Sequence, residues 1–255
     1  MVLKKLLIIT GLFLFFIGCE LPIEKEPPAV PVWVNKSQPQ DSVETGIDAI
    51  PEENSIFLNW HPVMDEDMEG YQIYRADITD DLDHNEEEYF ELIGLINIYH
   101  NPEFDTLFYD EDVQIKKLYR YYIRAFDYDD NLSQPSDTIE YKLIEKATLI
   151  TPTDKEAVST SPVFKWRNTA RTNEIVIRLE EFPAGNVVWI TRFNSPGYAE
   201  EIVEKRYNFD QSAKHSTLKP GQQYRWRIDC IAFTNPDGTD LEGSESVWQY
   251  FTVNQ

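Results

Sequence analysis

The segment FDYDDNLSQPS concentrates the residue types that bind calcium. A calcium loop of the EF-hand type needs oxygen ligands at positions 1, 3 and 5, a glycine at position 6 and a bidentate glutamate at position 12. Asp127, Asp129 and Asn131 supply the first three ligands, but Leu132 and Thr138 stand where the glycine and the glutamate should be. Asp and Asn are also the residues whose side chains bond nearby backbone groups in turns. The segment therefore favours a turn over a metal loop.

Two further acidic stretches pose the same question. In DEDMEGYQIYRA, Asp65, Asp67, Glu69 and Gly70 match the first half of the calcium pattern, but Ala76 replaces the glutamate. The run DITDDLDHNEEEYF is interpreted as a solvated loop, with a weak divalent site or a patch for a basic partner as alternatives. Its acidic residues are Asp77, Asp80, Asp81, Asp83, Glu86, Glu87 and Glu88. We predict no metal centre and no cofactor.

Catalytic motifs are missing from the sequence. The histidines, which are His61, His84, His100 and His215, show neither H-x-x-x-H nor H-E-x-x-H spacing. There is no G-x-S-x-G, glycine-rich phosphate loop or C-x-x-C. Carboxylate pairs are abundant, but any acidic protein has pairs at the separation that a glycosidase needs. The sequence therefore predicts a protein that is not an enzyme.

Charge is strongly acidic and unevenly distributed. The formal net charge is −22, from 45 acidic and 23 basic residues, so nucleic acid is disfavoured as a partner by long-range repulsion. Residues 29–144 contain 27 acidic and 7 basic residues (27 − 7, net −20), whereas residues 145–255 contain 15 and 13 (net −2). This asymmetry indicates two surfaces with different tasks, or a solvated acidic coat on the first half.

The amino terminus, MVLKKLLIITGLFLFFIGCE, has the features of an export signal. Two lysines precede the apolar run at residues 6–17, which is too short to cross about 30 Å of hydrocarbon but suits a secretory signal peptide. The segment FIGC resembles the lipobox of bacterial lipoproteins, in which the cysteine is diacylated and becomes the first residue of the mature chain. The resemblance implies that residues 1–18 are a signal peptide and that Cys19 is the lipidation site.

Lipidation defines the expected location. Each buried methylene contributes about 0.8 kcal/mol, so two or three acyl chains on one cysteine form an essentially permanent anchor. Residues 19–28 would be the lipidated cysteine and a short, proline-rich tether. We expect an exported protein anchored to the cell envelope, in the outer membrane, either periplasmic or surface-exposed. With Cys19 lipidated, Cys230 has no disulfide partner, and we predict that it is buried.

Short runs with alternating polarity dominate the rest of the chain. Runs such as SIFLNW, GYQIYR and YRYYIRAF are rich in β-branched and aromatic residues and are separated by Asp, Asn, Pro and Gly clusters. Only YAEEIVEKR could form a few helical turns. The series then repeats, which predicts an all-β chain with two tandem sandwiches at residues 29–144 and 145–255. The link LIEKATLI has no glycine or serine run, so we expect restricted flexing there.

Both series resemble fibronectin type III domains. Trp60 and Trp166 occupy the position of the family's second-strand tryptophan. LKPGQQY matches the L-x-P-x-x-x-Y corner through Tyr224, and Tyr119 takes the same position in the first series without the leucine and proline. The resemblance implies immunoglobulin-like sandwiches in which this tyrosine bonds the preceding turn. It also implies inward positions for Tyr121, Ile123 and Ala125, and for Trp226, Ile228 and Cys230.

The same resemblance bears on the FDYDDNLSQPS segment. Bacterial members of the family share the hairpin pattern A-x-D-x-x-G-N-x-S-x-x-S. Ala125, Asp127, Asn131, Ser133 and Ser136 match it, with an aspartate in place of the glycine. The resemblance therefore implies the hairpin turn.

One surface of the second half carries a signal for binding. If Tyr224 points inward, alternation directs Arg225 and Arg227 outward, and Trp189 and Trp248 are expected to join them. Exposed aromatic residues flanked by arginine are typical of interfaces and sugar platforms. Packing against the neighbouring domain is the alternative explanation.

The combined sequence evidence favours a lipoprotein that displays two sandwiches as a non-catalytic protein-binding, adhesion or spacer module. The alternative is an accessory glycan-binding lipoprotein, which would show exposed tryptophans in a flat platform. A hydrolase would require a cleft with converging acids. The expected partners are the membrane, through the lipid anchor, and a protein or glycan that the sequence does not identify.

Overall fold

The computed structural model describes residues 26–79, 88–98, 105–154, 156–195, 197–234 and 240–255. The predicted signal peptide, Cys19 and most of the tether lie outside the described residues, as do the acidic residues at 80–87. All elements in the described part of the chain are strands, so the predicted all-β class is confirmed. The described residues contain no helix that could span a membrane.

The first half folds into two packed sheets. Its strands are β1 (Val32–Trp33), β2 (Asp48–Ala49), β3 (Ile56–His61), β4 (Met68–Asp77), β5 (Glu91–Asn97), β6 (Leu107–Asp110), β7 (Leu118–Asp127) and β8 (Ile139–Leu143). In one sheet β3 pairs with β1, β2 and β6, and in the other the order is β5-β4-β7-β8. Burial alternates along β3 and along most of β7, as half-buried strands require.

The second half repeats this arrangement. Its strands are β9 (Thr148–Thr151), β10 (Glu156–Val158), β11 (Val163–Arg167), β12 (Glu174–Glu181), β13 (Val187–Asn194), β14 (Ile202–Arg206), β15 (Gln223–Thr234), β16 (Asp240–Glu245) and β17 (Gln249–Val253). One sheet is β14-β11-β9; in the other, β12 lies between β13 and β15, and β15 pairs with β16 and β17.

The YAEEIVEKR segment is a strand, not a helix. Its second part forms β14, which pairs antiparallel with β11 along five residues. Val203 is buried while its neighbours are exposed. Pairing with β11 places Val203 in the core, and this tertiary gain outweighs the helix propensity of the glutamates and lysine.

Each half has its own aromatic core. In the first half Trp60 contacts Trp33 and Tyr71 edge-on, with ring centroids 6.2 and 5.3 Å apart. In the second half Phe164 contacts Trp226 and Phe251. The inward residues implied by the resemblance are buried in both halves: Tyr121, Ile123, Ala125, Trp226, Ile228 and Cys230.

Both halves contain a tyrosine corner. The Tyr224 hydroxyl accepts a hydrogen bond from the Lys219 backbone N–H at 3.0 Å, and the Tyr119 hydroxyl accepts one from the Gln114 N–H at 3.1 Å. In each case the donor lies five residues before the tyrosine. The corner therefore forms in the first half without the leucine and proline of the motif, because only the backbone donor is needed.

A parallel strand pair joins the two halves. β8 pairs with β16, in the register Lys142 with Glu242 and Leu143 with Gly243. A side chain at Gly243 would crowd this junction, because its Cβ atom would lie 2.7 Å from the Tyr141 hydroxyl and 3.0 Å from the Cys230 carbonyl oxygen. The larger sheets of the two halves thus continue into one ten-stranded sheet.

Candidate interaction surfaces

The tyrosine corners align the outer faces of the two larger sheets. Three residues after each corner tyrosine stand Tyr122 in β7 and Arg227 in β15. Tyr122 pairs with Tyr74 of β4, and Arg227 pairs with Arg178 of β12. Both pairs lie on the side of the sheet away from the core. They can therefore be compared position by position.

In the second half, this position holds a buried ion-pair cluster. Arg178 and Arg227 are each 2% exposed. The guanidinium of Arg178 lies 2.9 Å from the carboxylate of Glu44. The guanidinium of Arg227 lies 2.8 Å from Asp229 and 2.6 Å from Glu245, and it also contacts Glu44. Alternating charges compensate one another, as burial of like-charged arginines demands.

The cover over this cluster comes from the first half of the chain. β1 and β2 both pair with β3, and the chain between them, which we call the 34–47 excursion, leaves the sheet. Its Asp41 carbonyl accepts a hydrogen bond from Arg178 at 2.9 Å, and its Glu44 contacts both arginines. The excursion closes at Gly46, whose φ of 80° and close approach to Lys36 exclude a side chain.

Burial shapes the titration of the cluster. It raises the pKa of Asp229 and of Glu245, against the opposing effect of the Arg227 guanidinium. Burial also lowers the pKa of nearby Lys146 to about 8, although Glu245 acts in the opposite direction. Carboxylate oxygens of Glu44, Asp229 and Glu245 lie within 4.8 Å of one another. The cation among them is the Arg227 guanidinium, so this is an ion-pair cluster that joins the halves.

The structure separates the four residues of the expected binding face. Trp189 is 1% exposed and belongs to the core, where its indole N–H is 3.1 Å from both Asp210 and Ser212. The expectation that Trp189 faces outward is wrong, because β13 places it opposite inward-facing Leu179. The apolar run VVWI does not reveal which of its residues face the core.

Arg227 is not exposed, contrary to expectation. It faces away from the core, as alternation predicts, but the 34–47 excursion buries it. This agrees with the alternative explanation, in which the residue packs against the neighbouring domain. Arg225 and Trp248 remain partly exposed. The Arg225 guanidinium lies 4.2 Å from the centre of the Trp248 ring and bonds Glu180 at 2.8 Å. These two residues are the part of the expected face that stays at the surface.

The outer face of the first half presents aromatic and aliphatic side chains instead. The rings of Tyr74 and Tyr122 stack with centroids 4.6 Å apart, and Phe90 lies 4.8 Å from Tyr122. Leu92, which pairs with Tyr74, is 48% exposed, and Leu95 is 57% exposed. We call these five residues the aromatic face.

Arginine flanks the aromatic face. Arg120 bonds Glu140 at 2.8 Å through Nε and also contacts Glu88. The sequence contained a signal for this surface: the inward positions of Tyr121 and Ile123 direct Arg120 and Tyr122 outward. The sequence prediction missed Tyr122 because it lies in YRYYIRAF beside Tyr119 and Tyr121, which face the core.

The FDYDDNLSQPS segment forms the predicted turn. One carboxylate oxygen of Asp127 accepts hydrogen bonds from the backbone N–H groups of Asp129 and Asn131, both at 2.9 Å. The other oxygen accepts from the Asn131 side chain at 3.0 Å. Asp130 has a φ of 63° at the position where the family pattern has glycine. The acidic groups thus stabilise the turn itself.

A cleft of about 480 Å³ lies beside β4 and β5. Arg75, Asp77, Asp112 and Lys117 contribute to its lining. Partial burial acts to raise the pKa of Asp77, but hydrogen bonds from Lys117 and Thr79 hold this pKa below its ordinary value. A glycosidase acid needs a raised pKa, so Asp77 does not fit the role of a general acid.

Cys230 is buried as predicted, with 2% of its surface exposed. Burial raises the pKa of its thiol to about 12. A thiol with this pKa stays protonated near neutral pH and is a poor nucleophile. Cys230 therefore serves as a packing residue of β15.

Comparison with known proteins finds solved structures of low similarity. No protein-family model and no curated protein matches the chain. The Clostridium perfringens spore cortex lytic enzyme SleM is 19% identical to this chain, with a TM-score of 0.27. The match covers 45% of this chain and 27% of that enzyme. The chicken CNTN1 FN1–FN3 domains are 14% identical over 90% of this chain and 68% of that one, with a TM-score of 0.29. Because both TM-scores are low, the description of two β-sandwiches depends on the strand pairing within this chain.

Proposed function

We propose that this chain is a lipid-anchored, non-catalytic protein-binding module of the bacterial cell envelope, which presents the aromatic face to a partner protein. One observation carries the proposal. At equivalent positions the second half buries Arg178 and Arg227 beneath the 34–47 excursion, whereas the first half leaves Tyr74 and Tyr122 partly exposed. Tyrosine and arginine around apolar side chains are typical of the energetic centres of protein interfaces.

The second half is proposed to act as a rigid support. The β8–β16 pairing and the cluster around Arg227 connect it to the first half through backbone hydrogen bonds and buried charges. A rigid support fixes the orientation of the aromatic face and so lowers the ordering cost of binding. The lipidated Cys19 and the tether at residues 19–28 would hold this unit close to the membrane.

A protein partner fits the surface better than a glycan. The glycan alternative requires exposed tryptophans that form a flat platform. All six tryptophans lie in the described residues, and five of them are buried: Trp33, Trp60, Trp166, Trp189 and Trp226. Trp248 is partly covered by the stacked Arg225. No tryptophan platform therefore supports the glycan hypothesis.

The anchor is tested by replacement of the predicted acyl acceptor. Cys19→Ser should leave an unprocessed precursor that takes up no fatty-acid probe, because the Cys19 thiol is the proposed attachment site. Labelling and gel mobility of the membrane fraction give the readout. Cys230→Ser is the matched control and should be labelled normally, since Cys230 is buried in the second half. Normal labelling of Cys19→Ser would refute the lipid anchor.

The binding surface is tested by capture from envelope extract. Tyr122→Ala should weaken capture of a partner by roughly 30-fold, the effect of losing a hot-spot residue of about 2 kcal/mol. Tyr128→Ala is the matched control, because Tyr128 is 65% exposed but lies in the turn after β7. Affinities of the purified partner for the two variants give the comparison. Equal losses for both variants, or none for Tyr122→Ala, would contradict the proposal.

A further inference from the structure

β5 is the edge strand at one end of the ten-stranded sheet. One contact shows which residues of β5 hydrogen-bond to β4. In the described residues β5 pairs with β4 alone. The Ile98 N–H donates to the Glu69 carbonyl at 2.7 Å, just beyond the end of the strand. Antiparallel pairs alternate between bonded and non-bonded, so Ile96 is bonded to Tyr71 while Leu95 directs its N–H and C=O away from β4. Leu95 therefore offers backbone groups to a further strand.

The corresponding edge of the second half is covered. β13 ends that part of the sheet, and the Lys214 N–H donates to its Val188 carbonyl at 3.0 Å. Asp210 and Ser212 of the same loop bond the Trp189 side chain. Proteins usually protect a sheet edge with a covering loop, a charged residue, a proline or a bulge. In β5, ELIGLIN, the charge is Glu91 at the start and the bulge lies at Ile93, so the part of the strand around Leu95 has no charge, proline or bulge.

Exposed side chains along β5 extend the aromatic face to this edge. Leu92 and Leu95 point to the same side of the sheet as Tyr74. Ile96 packs on the opposite side, against the core of the first half. An added strand would thus find apolar neighbours for alternate side chains and backbone partners at Leu95, the two components of strand-addition recognition.

The negative charge of the first half favours a basic partner segment over a second copy of the chain at this edge. Residues 29–144 contain 27 acidic and 7 basic residues. Near the edge, Glu91 and Asp112 lie 3.9 and 3.7 Å from the Arg75 guanidinium. Arg75 is largely buried and is one cation for these two carboxylates, whose side chains are 65% and 100% exposed to a partner. A second copy of the chain would bring like charges together, whereas a basic segment is attracted.

We propose that the edge of β5 accepts an extended, basic segment of the partner protein as an additional strand. This inference rests on the proposed function, since it specifies how the aromatic face engages its partner. The partner segment would alternate apolar residues, which pack beside Leu92 and Leu95, with polar ones. Lysine or arginine at the ends of this segment would complement the negative charge of the first half.

Hydrogen exchange with a synthetic peptide tests the mode of binding. The probe is a short peptide of alternating valine and threonine with lysines at both ends, added to the whole mature chain. It should slow exchange of the Leu95 amide by at least about tenfold, because that N–H becomes hydrogen-bonded. The same peptide with glutamates at its ends should give no protection. Absence of protection with the lysine peptide, or equal protection with both, would overturn the inference.

A pair of substitutions at one position separates backbone from side-chain effects. Leu95→Pro removes the outward N–H without breaking the bonds to β4, whereas Leu95→Ala keeps the N–H and loses the side chain. Strand addition predicts that the lysine peptide binds about tenfold more weakly to Leu95→Pro than to Leu95→Ala. Melting curves verify that both variants fold. If Leu95→Pro does not fold, the hydrogen-exchange measurement on the unchanged chain decides the question.

The outcomes distinguish this inference from the proposed function. If both Leu95 variants bind equally while Tyr122→Ala still loses capture, the aromatic face binds its partner without strand addition. If Tyr122→Ala captures normally, the proposed function itself fails. A dimer that dissociates in Leu95→Pro would assign the edge to a second copy and overturn the choice of a basic partner.

Discussion

The larger sheets of the two halves differ at one pair of equivalent positions. The first half has Tyr74 paired with Tyr122 there, and the second half has Arg178 paired with Arg227. The tyrosines stack on each other near the surface, whereas the arginines are buried under a segment that starts from the first half. The strands that carry them follow the same pattern in both halves. The 34–47 excursion lies over the arginines of the second half. The segment that covers the outer face of a sheet therefore decides whether that face is a junction or a surface.

The buried cluster illustrates why charges suit a junction. Removing charges from water costs several kcal/mol per ion, and attraction between them returns this only with good geometry. Such a cluster contributes little net stability but penalises any arrangement that leaves a charge unpaired. Glu44 contacts both Arg178 and Arg227. We infer that the cluster fixes how the halves dock, while the aromatic cores stabilise each half.

The largest expected effect tests whether the second half also has an aromatic surface. Trp189→Ala should lower the free energy of unfolding by about 3 to 5 kcal/mol, because the ring is fully enclosed in the core. Trp248→Ala is the control and should cost about 1 kcal/mol, the value of its contact with the arginines. Urea unfolding gives both values. A small loss for Trp189→Ala would mean that this residue is available at the surface.

The next effect compares the equivalent positions directly. Arg227→Ala should lower the free energy of unfolding by about 3 to 5 kcal/mol, since it leaves Asp229 and Glu245 buried without their main partner. Tyr122→Ala should cost less, about 1 to 2 kcal/mol, because the partly exposed ring loses its stacking with Tyr74 and only a modest buried area. Calorimetric melting of both variants checks this. Similar losses at the two positions would remove the distinction between a junction and an open face.

The smallest effect concerns pH. Burial lowers the pKa of Lys146 to about 8 in the folded chain, against an ordinary value of 10.5. Between these values the unfolded chain keeps the proton that the folded chain has lost. The contribution of Lys146 therefore makes the free energy of unfolding rise with pH from about 8 to 10.5. Below pH 8 the folded state carries the full cost of the buried charge.

The variant Lys146→Met isolates this contribution. It removes the titrating group, so the rise in stability across this window should disappear relative to the unchanged chain. Urea unfolding at several pH values gives the two slopes. Parallel slopes would show that Lys146 titrates normally and that the junction is more hydrated than the structure indicates.

Local pattern was enough to predict several features. Alternation in YRYYIRAF and YRWRIDC identified the inward residues of β7 and β15, and the spacing to Tyr224 identified the corner. Asp127 and Asn131 predicted the turn, because their hydrogen bonds reach only a few residues along the chain. These features depend on periodicity and on short-range bonds, both of which the sequence contains.

Tertiary contacts decided the site. The sequence did not show that Trp189 faces inward, because VVWI is apolar on both sides and its phase comes from pairing with β12. Nor did it show that Arg227 is covered: the Glu44 that contacts it lies 183 residues away in the chain. Alternation determines which residues share a face of a strand. Whether that face meets water, a core or a distant segment is a property of the folded chain alone.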